Sequence, residues 1–132
     1  MSTARRILVI EDNPTNLELM IYLLTAFGHT PLVARTGEEG LAAAARERPD
    51  LILCDLGLPR MSGLEVARRL KSDPALQPIP LIAVTASAMV GDREAVMATG
   101  FDGYISKPIT PETFVREVEG YLPGAHGDDS DR

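Results

Sequence analysis

The stretch Leu51-Ile-Leu-Cys54-Asp55-Leu-Gly57-Leu-Pro59-Arg-Met-Ser-Gly63 decides the fold. Leu51 to Cys54 is a continuous apolar run, the mark of a strand buried on both faces of a parallel sheet. The run ends at an acid, and the Pro- and Gly-containing loop after it leads into a helix with Val66, Ala67 and Leu70 on one face. One strand, one loop and one helix form a unit, and the same unit recurs on both sides.

Upstream, Arg6-Ile-Leu-Val-Ile10 is a strand that ends at Glu11-Asp12. Asn13-Pro14 then reads as an N-cap with proline at the first helical position, opening a helix to about Phe27. Leu17, Met20, Ile21 and Leu24 form its apolar stripe and Gly28 its stop. A weaker strand at Thr30 to Ala34 precedes Thr36-Gly-Glu-Glu39, a capping box that starts an alanine-rich helix to about Arg48. Downstream, Ile79 to Val84 reads as a fourth strand, and Met89, Arg93, Val96 and Met97 mark a helix that stops at Gly100. Phe101 to Ile105 reads as a fifth strand. Thr110-Pro111 is expected to cap a last helix with Phe114, Val118, Tyr121 and Leu122 buried, closed by Pro123-Gly124. Residues 1–123 form one domain on this reading, and the Gly-, Asp- and Ser-rich residues 124–132 an acidic, disordered tail. Met1 and that loose end are what a complete chain would show.

Five βα units predict an α/β class domain, a doubly wound five-stranded parallel sheet with helices on both faces. Ligands of such sheets bind at the carboxyl ends of the strands, where strand order reverses.

The composition narrows the function. The chain has 132 residues, 19 acidic against 13 basic, and a formal net charge of −6. Dropping 124–132 removes three acids and one arginine and leaves −4, so the acidity belongs to the folded body. Direct nucleic-acid binding and attraction to anionic membranes need clustered cations and are disfavoured. The apolar runs fall far short of the roughly 20 residues that cross a bilayer, so no membrane insertion is expected. No signal-peptide pattern follows Met1, and the single cysteine, Cys54, forms no internal disulfide; both fit a cytoplasmic protein. His29 and His126 lack partners at ligand spacing and are read as solvated, while Tyr22 and Tyr121 are read as covering core edges.

At the strand ends stand Glu11 and Asp12, then Asp55, Thr85 and Lys107. Each alone has an ordinary explanation: an acid caps a helix, a threonine satisfies a turn, a lysine is solvated. Together they place three carboxylates, a hydroxyl and an amine at one edge of one sheet. Three carboxylates repel unless a cation compensates, and an oxygen-only donor set suits Mg²⁺ rather than zinc. Cys54 points its side chain away from that of Asp55, because neighbours on a strand alternate faces. A metal, a carboxylate, a hydroxyl and an ammonium in one pocket suit phosphoryl transfer onto a carboxylate, with Asp55 as acceptor.

This set of residues resembles the receiver domains of two-component response regulators, over about Arg5 to Leu122. The resemblance rests on Glu11-Asp12, Asp55 with Pro59 and Gly63, Thr85-Ala86, and Lys107-Pro108 preceded by Tyr104. It implies a flavodoxin-like strand order of 2-1-3-4-5 and Mg²⁺ held by Asp12, Asp55 and the Gly57 backbone carbonyl, with Glu11 acting through water. It further implies a single-domain response regulator whose Asp55 accepts a phosphoryl group from a histidine kinase or a histidine phosphotransfer protein, with a phosphorelay shuttle or the excised receiver of a hybrid histidine kinase as the alternative. Thr85 would move inward and Tyr104 rotate behind it, altering the surface of the fourth helix, fifth strand and fifth helix that contacts a downstream protein target. The Lys107-Pro108 bond would be cis, aiming the ammonium at Asp55. The histidine donor is expected to dock at Pro14, Asn16 and Pro108. Gly57 and Ser87 stand where receivers often carry larger side chains that shape water access.

Rival readings fit less well. A haloacid-dehalogenase-type phosphatase needs a second acid two residues after its nucleophile, where this chain has Gly57. A flavodoxin-like electron carrier needs a phosphate-cradling first loop, where this chain has Glu11-Asp12 and Pro14. A purely structural domain leaves the acids unexplained.

Overall fold

The alternation of apolar runs and amphipathic segments builds five strands and five helices, and the computed structural model describes residues 5–86 and 90–122 of them. In chain order these are β1 (Arg6–Ile10), α1 (Pro14–Ala26), β2 (Thr30–Ala34), α2 (Gly37–Glu47), β3 (Leu51–Asp55), α3 (Gly63–Ser72), β4 (Leu81–Thr85), α4 (Val90–Ala98), β5 (Gly103–Ser106) and α5 (Pro111–Glu119). The strands form one parallel sheet in the order β2-β1-β3-β4-β5, as the resemblance implies. The order in which strands are added across the sheet reverses between β1 and β3, and this puts the carboxyl ends of those two parallel strands side by side at the crevice.

Period-two alternation divides the strand side chains into two cores. Ile7, Val9, Leu51, Leu53, Ile82, Val84 and Ile105 face α1 and α5. Leu8, Ile10, Ile52, Cys54, Leu81 and Ala83 face α2, α3 and α4. Every residue of β3 and β4 is buried, as continuous apolar strands at the centre of a doubly covered sheet must be.

Helix starts follow local chemistry. The Asn13 side chain accepts from Asn16 N–H, Thr36 from Glu39 N–H, and Ser62 from Glu65 N–H. Thr110 takes the corresponding position of α5 but makes no side-chain cap bond; Pro111 presets the first turn and the Thr110 carbonyl accepts from Thr113 and Phe114.

Several elements differ from the sequence reading. β4 begins at Leu81 rather than Ile79, because Pro80 has no N–H for a ladder and only its carbonyl pairs, with Ile52. β5 begins at Gly103: Phe101 is buried in the α3–α4 core and Asp102 bridges to Leu81. α5 ends at Glu119, and Tyr121 is partly exposed while Leu122 stays buried. Tyr22 does not cover a core edge; it is 68% exposed on the outer side of α1. His29 is buried rather than solvated: its Nδ1 accepts from Arg5 N–H at 3.2 Å and its Nε2 lies 2.7 Å from Glu119 Oε2. Met89, Ser87, His126 and the tail at 124–132 lie outside the described residues. Among the described residues, no helix is long and apolar enough to cross a membrane.

Candidate functional site

The carboxyl ends of β1, β3 and β4 bring polar residues to the crevice. β1 ends at Ile10, and Glu11, tied by its N–H to Ala34 O, follows with its side chain only 1% exposed. Asp12 beside it is exposed. Asn13 then turns the chain into α1, and its N–H donates to Glu11 Oε2 at 3.2 Å. The positive end of α1 therefore faces the acid pair. Asp55 is the last residue of β3 and is 8% exposed; its Oδ1 accepts from Gly57 N–H at 3.1 Å.

Across the crevice, Thr85 ends β4 and is 6% exposed. It pairs in register with Ser106, and its carbonyl accepts from Lys107 N–H at 2.8 Å. Register thus fixes where the lysine leaves the sheet. The Lys107–Pro108 bond is cis, as the resemblance implies, and Lys107 Nζ lies 3.2 Å from Glu11 Oε1 and 3.4 Å from Asp55 Oδ1.

Glu11, Asp12 and Asp55 each place a carboxylate oxygen within 4.8 Å of the others. Burial first, and then the Asp55 charge, push the Glu11 carboxyl above its ordinary value of 4.5; Lys107 and the Asn13 N–H oppose the rise. Burial also drives the Cys54 thiol strongly upward, with Asp55 and Glu11 adding to it. That thiol is inert as a ligand and sits in the α2–α3 core. Among the described residues Glu11 Oε1 is buried with no hydrogen bond, and the Lys107 ammonium stands 3.2 Å from it. Three carboxylates held by one ammonium form an oxygen-only cluster that fits a small hard divalent cation. Gly57 leaves open space there: a side-chain carbon at that position would meet nothing nearer than Asp55 Oδ1 at 3.9 Å.

The loop that carries Asp55 is held by Gly63. Its N–H donates to Leu56 O, and a side-chain carbon on it would stand 2.5 Å from Asp55 O and 2.8 Å from Leu56 Cα. Only glycine lets α3 start this close to the acid-bearing strand end.

Pro14 and Pro108 are exposed and Asn16 is half-buried, its N–H held by the Asn13 cap. Tyr104 lies one strand residue before Ile105 with the Arg93 guanidinium 4.7 Å above its ring, and its hydroxyl is buried with no hydrogen-bond partner among the described residues. Sequence reasoning missed two features, the Arg93–Tyr104 stack and the buried His29. A helix position and a turn position gave no sign of their distant partners.

Fold and crevice together define a doubly wound α/β domain with a cation-compatible acidic pocket at its strand reversal. The family model for the response regulator receiver domain matches residues 7–119, and the chain belongs to that family. It is 45% identical to the polar-differentiation response regulator DivK of Brucella anthropi over 121 residues, 92% of this chain and 98% of that protein. The receiver domain of a sensor histidine kinase from Pseudomonas aeruginosa, solved with a magnesium ion coordinated in its active-site cleft, is 30% identical with a TM-score of 0.82, covering 90% of this chain and 98% of its own. The chemotaxis protein CheY4 of Vibrio cholerae, at 24% identity, shares the fold with a TM-score of 0.85, covering 91% of this chain and 100% of its own. The chain is a receiver-type response regulator, a signalling protein and not an enzyme in the usual sense. The phosphatase and electron-carrier readings find no support.

Proposed function

We propose that this protein is a Mg²⁺-dependent phosphoryl acceptor in the cytoplasm that relays a signal by protein contact. The observation that carries the reading is the convergence of Glu11, Asp12, Asp55 and Lys107 within one crevice at the strand reversal. Asp12, Asp55 and the Gly57 carbonyl would hold the cation, with Glu11 acting through water. The cation supplies charge neutralisation on the phosphoryl oxygens.

The chain's own groups perform the rest. An Asp55 carboxylate oxygen attacks the phosphorus of a phosphohistidine on the donor; the P–O bond forms as the P–N bond breaks, and the imidazole leaves with a proton. Lys107 faces the acceptor oxygen and neutralises developing charge, and Thr85 donates to a phosphoryl oxygen. Pro14, Asn16 and Pro108 form the rim on which a histidine kinase or histidine phosphotransfer protein docks. Thr85 and Tyr104 pass the change to α4, β5 and α5, the surface a downstream protein reads. The protein thereby assists its own phosphorylation and dephosphorylation. Residues 1–123 act as the receiver unit.

Incubation with Mg²⁺ and a small acyl-phosphate donor, followed by intact mass measurement, tests the proposal. One phosphoryl mass is expected on the wild type and none on Asp55→Asn. No uptake, or equal uptake by both, overturns it.

A further inference from the structure

Four consecutive residues at the start of α2 touch both sides of the crevice. Gly37 faces the loop that follows Asp55: a side-chain carbon on it would stand 3.1 Å from Met61 Cβ, and 2.9 Å from Val66 Cγ2 near the start of α3. Glu38 Oε1 lies 3.9 Å from Arg60 Nη2 in the same loop. Glu39 Oε1 accepts from Arg35 N–H at 2.9 Å, beside Ala34, whose carbonyl holds the Glu11 N–H. Gly40 faces the last residue of β1: a side-chain carbon there would collide with Ile10 Cδ1 and stand 2.9 Å from Ile10 Cγ1.

Glycine is the poorest helix former after proline, so two in one turn weaken α2 unless a close approach requires them. Both are buried. Ile10 is 1% exposed and packed in the core it shares with Ala43, Ala44 and Val66, so it has no room to swing aside. It immediately precedes Glu11, and Met61 belongs to the loop that also contains Gly57. The seat of α2 therefore sets the gap between the acid pair at the end of β1 and the acceptor at the end of β3.

We propose that Gly37 and Gly40 are positioning residues of the cation site: by seating α2 directly on Ile10 and Met61 they fix Glu11 and Asp12 relative to Asp55, and so set the affinity for Mg²⁺. They touch neither the cation nor the phosphoryl group. A methyl at position 40 must push Ile10, and the acid pair after it, or lift α2 away from β1. Either shift spreads carboxylates whose oxygens lie within 4.8 Å of one another. Mg²⁺ demands near-ideal octahedral geometry, so a small displacement is read as lost affinity. The inference rests on reading the crevice as a Mg²⁺ site.

The test uses the full chain and MgCl₂ alone, with affinity read from amide shifts and stability from urea unfolding of the same proteins. Gly40→Ala is expected to bind Mg²⁺ more weakly by about fivefold or more, and Gly37→Ala by about twofold or more. Ile10→Val takes away Cδ1, the atom first met, so Gly40→Ala placed in that background should bind within about twofold of Ile10→Val itself. Val118→Ala, in the core on the other face of the sheet, should lose stability and keep its Mg²⁺ affinity. Unchanged affinity in either folded glycine variant overturns the proposal. So does a loss that Ile10→Val fails to relieve, or an equal loss in Val118→Ala, which would make the effect one of stability. Should Gly40→Ala not fold, Gly37→Ala and the Ile10→Val pair decide alone. A wild type that binds no Mg²⁺ sinks the cation reading and this inference with it, whereas glycine variants that match a Mg²⁺-binding wild type sink this inference alone.

Discussion

The Lys107 ammonium stands 3.2 Å from the buried Glu11 carboxylate and bridges from it to Asp55. Two residues 96 positions apart thus form the electrostatic keystone of the crevice. Removing the cation leaves two carboxylates facing each other with little water to screen them. Lys107→Met is expected to cost about 2–3 kcal/mol in urea unfolding at neutral pH without metal. Millimolar Mg²⁺ should recover part of this loss, and phosphoryl uptake should slow.

Glu11 gives the metal-free protein a pH signature. Its carboxyl is raised in the fold above 4.5, so between 4.5 and the folded value the native state binds the extra proton. Stability from this group is present at low pH and falls as pH rises through that window. Glu11→Gln removes the dependence and should stabilise the metal-free protein at pH 7 by on the order of 1 kcal/mol. Urea titrations of both proteins from pH 4.5 to 7 should show the gap widening with pH, and the variant should bind Mg²⁺ more weakly.

Gly63 tests how tightly the acceptor loop is held. A methyl there meets Asp55 O at 2.5 Å, so α3 or the strand end must shift. Gly63→Ala is expected to lose about 1–3 kcal/mol by chemical denaturation and to slow phosphoryl uptake.

Tyr104 carries a buried hydroxyl with no partner among the described residues. Tyr104→Phe removes that unsatisfied group and keeps the ring under Arg93. Thermal unfolding should show unchanged or higher stability, by up to about 1 kcal/mol.

His29 joins the start of β1 to the end of α5 through Arg5 N–H and Glu119. Because Nδ1 accepts the backbone N–H, the neutral ring carries its proton on Nε2 and donates it to the carboxylate. His29→Ala should cost about 2 kcal/mol in urea unfolding, through two lost bonds and a cavity. Glu119→Gln should cost under about 1 kcal/mol, since the Glu119 side chain is 42% exposed.

Much of this molecule was written locally. Apolar runs of four or five residues specify β1, β3 and β4, and capping residues one turn from their targets start α1 and α2. The strand-end acids, Thr85 and Lys107 followed from the rule that doubly wound sheets put chemistry at their carboxyl edge. What lay beyond reach depends on residues far apart in sequence. His29 reads as a turn residue until Arg5, 24 positions away, and Glu119, 90 positions away, close over it. Arg93 reads only as one of the positions that mark the fourth helix until α4 packs across β5 and sets its guanidinium over the Tyr104 ring. Thr110 and Pro80 show that a local signal sets position without setting every bond. The sequence alone determined element order and fold class, because short-range periodicity and capping need only neighbours. Tertiary structure alone decided that Lys107 serves Glu11 as well as Asp55 and that His29 is buried, because burial and Coulomb interaction act through space.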